Sequence, residues 1–306
     1  MHLLLVKVTK NNDSNRDIMS VEAREARQPW ILLSPALTAV GLLLFVPLLF
    51  IVVYSFWLSS ATGADQPGFH LDNWQEALTD AFYRDILLNT LKIAAITTIA
   101  CALMGYPAAY FIARARGNKA LLLLLLILPF WISYIIRTMS WINILGVSGA
   151  VNWALMTLGL TDEPMQMLYN ETTVILGLVH FLLPFMVLNV FVSLDGIDLN
   201  LEDAANSLGA TKWQAFLQVT LPLSLPGLAA GSLLCFVLGA GTYITPMVLG
   251  GPRDAMFANL VYEAIITQLN WPLGSALSLM LLIVLGALVL LYNRYLGMAQ
   301  LMKGLG

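Results

Sequence analysis

The sequence predicts an all-α integral membrane protein with six transmembrane helices. Three observations carry this. Hydrophobic residues fill 59% of the 306 positions and charged ones only 11%, against about 25% charged in an ordinary soluble domain. Six apolar segments each reach the roughly 17–25 helical residues that cross a bilayer core. One polar stretch, 202–222, reads EDAANSLGATKWQAFLQVTLP and carries the cap and turn residues of a compact helical loop.

In chain order the spans are 30–58, 86–113, 120–145, 172–194, 227–249 and 276–292. The second holds Lys92 and the third Arg137; the others hold no charged residue. The first five contain prolines (Pro35, Pro47, Pro107, Pro129, Pro184 and Pro246). Membrane helices tolerate proline where neighbouring groups satisfy the freed backbone, and the resulting kinks can shape a cavity. Lys92 reads as a snorkelling side chain near the end of its span. Cys101 and Cys235 fall inside apolar segments and read as small buried hydrophobes, with no disulfide framework.

Basic residues set the orientation. Lys7, Lys10, Arg16, Arg24, Arg27, Arg114, Arg116, Lys119, Lys212, Arg294 and Lys303 all fall on the amino-terminal side of the spans. Arg84, Lys92, Arg137 and Arg253 lie in or beside the opposite loops, the first of which carries Asp65, Asp72, Glu76, Asp80 and Asp85. Both termini are therefore expected in the cytoplasm. Residues 1–29 read as a cytoplasmic tail before a retained helix, because a cleaved signal has an apolar region of only about 7–15 residues. Residues 294–306 form a second cytoplasmic tail.

Several chemistries lack their signatures. There is no GxxxxGK[ST] phosphate loop, so the chain has no recognisable means of binding ATP alone. No HExxH, CxxC or clustered His, Cys and carboxylates suggests a metal; neither cofactor, metal, catalytic residue nor nucleic-acid partner is expected. His2, His70 and His180 are scattered, and His180, within the fourth span, is expected to satisfy an interhelical hydrogen bond. No Asp or Glu lies in the middle of a span, which disfavours a carrier driven by its own ion site.

The loop is written by local codes. Asn200 with Asp203 three residues on is a variant capping box. Leu201, Ala204, Ala205 and Leu208 repeat at helical spacing as one apolar face. Gly209 follows, where a helix often ends on a left-handed residue. Thr211 with Gln214 opens a second short helix with Trp213, Phe216 and Leu217 on its apolar face, and Pro222 and Pro226 are expected to close it. A membrane-surface helix would carry basic residues on its polar face, but Glu202 and Asp203 stand here against one Lys212. A rigid unit of this kind suits docking on another protein.

Asp203-Ala204-Ala205, Gly209, Val219, Thr220 and Leu221-Pro222 resemble the EAA loop of the membrane subunits of binding-protein-dependent ABC importers. Asp203 stands where that family usually has Glu, and Val219 where it usually has Ile. The resemblance covers 86–293 and implies a type I importer transmembrane domain, with 30–58 as an added first helix. It implies a non-catalytic permease in a bacterial inner membrane, with an ATP-binding subunit dimer that hydrolyses ATP, a second membrane permease subunit and an extracytoplasmic solute-binding protein as partners. Glu202, Asp203 and Gly209 would be contact and turn residues of the coupling loop. Ala204 and Ala205 would keep its helix thin, and Leu221-Pro222 would end the motif.

The third span contains LPFWISYIIRTMSWINIL, placing Phe130, Trp131, Tyr134 and Trp141 around Arg137. These aromatics read either as an interfacial belt or, with Tyr243, as a translocation path that holds a cation by ring faces. The LPFW…IR run is similar to the spermidine/putrescine permease subgroup, as are GLVHFLLPFMVLNVF, TLPLSLPGLAAG and VLGG. That implies a polyamine as solute; permeases for iron, sulfate, or opine- or amino-acid-like compounds share most of these features. A membrane scaffold or receptor that docks a cytoplasmic partner is the alternative of another class.

Overall fold

The computed structural model describes residues 33–59 and 65–294, so the expected start at Trp30, the tail 1–29 and nearly all of 294–306 lie outside the described residues. α1, Leu33–Tyr54, is one unit, a 22-residue apolar helix. Residues from Ser55 onward form the second unit. There the chain turns back on itself, with an isolated antiparallel bridge between Leu58 and Gln66.

Three long helices form the centre of the second unit: α3 (Ala81–Arg114), α7 (Glu171–Asp195) and α10 (Leu221–Ala240). Short polar side chains start the first two. Asp80 accepts from the Phe82 N–H at 2.8 Å and Asn170 from the Thr173 N–H at 3.0 Å. Cys101, Ala109, Leu182, Met186, Val190 and Cys235 are fully buried between the three helices. The helices touch closely because glycines leave room for the backbone and side chains of the neighbouring helix. A Cβ on Gly227 of α10 would stand 2.5 Å from the Asn189 carbonyl oxygen of α7. Pro107 and Pro184 sit inside α3 and α7 without ending them.

α2 (Asp72–Thr79), α12 (Phe257–Tyr262) and α13 (Trp271–Tyr292) form a second cluster around Ala77, Leu87, Phe257, Leu260, Leu273 and Leu277. α12 runs on through a π-helical turn, Glu263–Thr267. Neither α2 nor α12 shows in the hydropathy pattern as a span. α13 starts five residues before the expected 276, with Pro272 in its first turn and Asn270 as its cap.

Two expected spans differ in shape. The third, 120–145, is broken rather than continuous. α4 (Lys119–Ile127) passes into a 3-10 turn, Leu128–Trp131, and Ile132 is extended before α5 (Tyr134–Leu145) and α6 (Ala150–Thr157). The two halves meet at 87°. Pro129 lacks the N–H an α-helix needs, and the turn closes on its carbonyl by the Ile132 N–H at 3.2 Å. Five described helices are thus long and apolar enough to cross a membrane, or six with the bent pair counted as one span.

The fifth span was expected over 227–249. Its helix instead runs unbroken over Lys212–Ala240, including α9 (Lys212–Ala215), and stops before a separate α11 (Ile244–Leu249). Pro222 and Pro226 therefore do not close the loop. A π-helical turn, Phe216–Thr220, widens the helix just before Pro222, and the Leu221 N–H reaches back to the Phe216 carbonyl. An α-helical turn would drive the proline ring against the Gln218 carbonyl. Lys92, read as a snorkelling side chain, reaches the half-exposed start of α7 and pairs there with Glu171 at 2.7 Å.

Candidate functional site

Two places gather the residues singled out in the sequence. The first is the loop from α8 (Leu199–Ser207) to α9. Asp198, rather than Asn200, caps α8, accepting from the Asn200 N–H at 3.0 Å. The residue nearest the chain turn takes the cap, which moves Asp203 from the first turn into the body of the helix. At the other end Gly209 adopts φ +91°. The Gly209 N–H donates to the Asn206 carbonyl at 3.0 Å and the Ala210 N–H to the Ala205 carbonyl at 3.1 Å. These two bonds make a complete Schellman motif. Thr211 and Gln214 exchange bonds as a capping box, at 3.3 and 2.8 Å. The loop is stiff because each of its backbone ends is satisfied locally.

Its side chains divide sharply. Leu208 is 90% exposed, Trp213 66%, and Leu201 47%. Asp203 is exposed, and its carboxylate has no partner among the described residues. Glu202 turns the other way: one carboxylate oxygen accepts from the Arg114 guanidinium at the end of α3 and from the Thr220 hydroxyl at 2.6 Å. Thr220 is fully buried. The Arg114 guanidinium lies 5.6 Å from the Tyr110 ring centre, and Tyr110, Tyr106 and Trp213 all pack on Phe216. Leu221 and Pro222 begin α10.

The second place lies around Arg137 of α5. This residue is only 9% exposed, and its Nε has no hydrogen-bond partner among the described residues. Its guanidinium sits 5.0 Å from the Phe130 ring centre and 5.8 Å from that of Phe181. No ion pair to it occurs among the described residues. Tyr134 lies against Phe181 at 4.4 Å, and its hydroxyl bonds Thr242 at 3.0 Å and also Thr245. Trp141 donates to His180 Nδ1 at 3.2 Å, which is the interhelical bond expected of that histidine.

Four of the six path candidates thus come together: Phe130, Tyr134, Arg137 and Trp141. Two do not. Trp131, on the far side of the 3-10 turn, is 85% exposed, and Tyr243 stacks on Tyr262 at 5.1 Å. The chain's own cation, Arg137, lies over the Phe130 ring. Phe181 and Phe185, four residues apart on α7, complete an aromatic cage. That spacing was readable in GLVHFLLPFMVLNVF, whereas Arg114 and Thr220, distant in sequence from Glu202, left no local signal.

No family model matches the chain. Among curated proteins it is similar to the spermidine/putrescine transport system permease protein PotB of Escherichia coli K12. The two are 37% identical over 254 residues, covering 83% of this chain and 92% of the relative. The PotB protein of Haemophilus influenzae is 36% identical over 71% of this chain and 76% of its own length. The chain belongs to the spermidine/putrescine permease family of ABC importers. This permease is also 34% identical to the inner membrane ABC transporter permease protein YdcU of Escherichia coli K12, over 88% of the chain and 89% of the relative.

A bacterial ABC transporter involved in alginate import has a chain of the same fold. It is 20% identical, with a TM-score of 0.70, covering 89% of this chain and 96% of that one. The expectations of a helical importer domain and a multi-pass permease subunit in the inner membrane are borne out.

Proposed function

We propose that this permease carries a polyamine, or a similarly linear organic cation, in an importer powered by separate ATP-binding subunits. The observation that supports the solute is the identity to a spermidine/putrescine permease over nine-tenths of that relative's length. The α8–α9 loop is the docking element. Its exposed Leu201, Leu208 and Trp213 are apolar contacts for the ATP-binding partner, and Asp203 is its free charge. A second membrane permease subunit and an extracytoplasmic solute-binding protein complete the assembly. Both termini and the loop face the cytoplasm, with 86–293 as the importer domain.

Closure of two ATP-binding subunits would move the loop as a rigid body and tilt the helices joined to it. Uptake of radiolabelled putrescine and spermidine by cells with and without this chain, partner genes intact, tests the solute. Equal polyamine uptake in both, with loss of another solute, overturns it. Single cysteines at Asp65 and Ala210 should label from opposite sides of the membrane; labelling from one side overturns the orientation.

A second reading, an anionic solute, is favoured by one observation. Arg137 is buried with no carboxylate paired to it among the described residues, and a solute's negative group would pair with it directly. Competition by sulfate and molybdate in the same uptake assay separates the two.

A further inference from the structure

We infer that Arg114, Glu202 and Thr220 form the joint that carries motion of the α8–α9 loop into α3 and α10, so that Glu202 positions the loop within the chain rather than touching the ATP-binding partner. This rests on the reading of the loop as the docking element.

A loop that delivers motion to helices must be tied to them in tension as well as compression. Packing resists compression steeply but separation only in proportion to the apolar area re-exposed. The peptide chain ties α8 directly to α7 and, through Gly209, to α9. Nothing covalent links it to α3, whose last residue is 88 positions away. Glu202 supplies that link. It sits about 100° around α8 from Leu201, so one side chain reaches inward while the apolar face stays open. Its single oxygen Oε1 accepts from both Arg114 and Thr220. A displacement of α8 therefore pulls on the end of α3 and on the π-helical turn that begins α10.

The surroundings suit a joint. The Arg114 and Glu202 side chains are 18% and 21% exposed, which shields the pair from the solvent that weakens surface ion pairs. Thr220 is fully buried, and among the described residues its hydroxyl bonds Glu202 alone. Tyr110 lies under the guanidinium and packs edge-on against Phe216 at 5.6 Å, so the ion pair and the ring stack brace the same turn. Tyr106 adds a bond to Ser224 at 2.7 Å, one turn further along α10. The π-helical turn also leaves a wider, less regular step where α9 meets α10, a place where a helix bends readily.

The test uses the whole importer in proteoliposomes, with solute uptake per ATP hydrolysed and recovery of the ATP-binding subunit as separate readouts. Glu202→Gln and Arg114→Gln should each lower uptake per ATP about tenfold, within the usual range of coupling effects. The ATP-binding subunit should still co-purify at its normal ratio. The exchange Arg114→Glu with Glu202→Arg should restore most of the coupling. Thr220→Val, which removes one hydroxyl at nearly constant shape, should lower coupling more mildly and serves if the charge variants do not assemble. Loss of the ATP-binding subunit from Glu202→Gln overturns the proposal, because it would make Glu202 a contact residue. Normal uptake per ATP in Arg114→Gln overturns it as well, as does failed restoration by the exchange together with normal coupling in Thr220→Val. Leu208→Glu separates the two levels: if it keeps both subunit and uptake, the docking assignment itself fails.

Discussion

The loop and the arginine cage solve opposite problems. In the loop, the inward carboxylate is paired twice while leucine and tryptophan stand in the open. In the cage, the rings are packed together while a buried cation has no ionic partner among the described residues. An exposed apolar face is completed by another surface, since a contiguous patch of this kind marks interaction sites. A buried, unpaired charge is completed by an opposite charge or else tolerated at a cost. The two regions are thus opposite in kind: the loop leaves an apolar face open, and the cage holds a cation that no described carboxylate pairs.

The largest effect should come from closing the loop's apolar face. Leu208→Glu places a charge where the proposal puts an apolar anchor, a loss of about 2–4 kcal/mol at an interface centre. Recovery of the ATP-binding subunit should fall about a hundredfold. Recovery within twofold of normal would show that the exposed leucine does not hold the ATP-binding subunit.

Next comes Gly209. A Cβ there meets nothing within 4 Å, so any penalty is conformational and arises from φ +91°. A β-branched residue in the left-handed region costs at least about 1–2 kcal/mol. Gly209→Val should insert in the membrane yet lose most uptake, about tenfold. Gly209→Asn, which tolerates that region, should stay within about twofold. Equal loss in both variants would point to a contact at Gly209 instead of a turn.

Which parts of this were legible follows from the range of the interactions. The Gly209 turn and the Thr211–Gln214 box could be read because both codes act over three or four residues. The cap was misplaced by two residues, since Asp198 and Asn200 are both competent and only the chain's path chooses between them. The 87° break at Leu128–Ser133 was hidden because hydropathy averages over a window and Pro129 alone does not separate a kink from a fracture. The Lys92–Glu171 and Arg114–Glu202 pairs join residues 79 and 88 positions apart, and no pattern along one helix announces a partner on another.

The two arginines should differ in what they contribute to stability. Arg114→Met strands a part-buried carboxylate and should lower the stability of the chain by about 1–3 kcal/mol, with the pair's partial exposure allowed for, and its thermal midpoint with it. Arg137→Met removes an uncompensated charge. Replacing such a charge with a well-packed apolar group is neutral or stabilising, although two cation–π contacts of about 0.5–2 kcal/mol each are lost. The midpoint of Arg137→Met should therefore hold or rise in detergent. A fall matching that of Arg114→Met in the assembled importer, but not in the isolated chain, would place a carboxylate of the partner permease beside Arg137.

The smallest expected effect compares two neighbouring aromatics. Phe130 and Trp131 are adjacent in sequence, yet the 3-10 turn sends one into the cage and leaves the other 85% exposed. Phe130→Ala removes a ring that holds Arg137 at 5.0 Å and packs on Phe185 at 5.1 Å. It should free the guanidinium and slow uptake by about three- to fivefold, in line with one or two ring contacts of about 0.5–1 kcal/mol. Trp131→Ala leaves the cage intact and should change uptake by less than about twofold. Neither should alter the affinity of the solute-binding protein, which is a separate chain. If Trp131→Ala proves the slower of the two, the path follows the exposed side of the break, and the cage around Arg137 is structural.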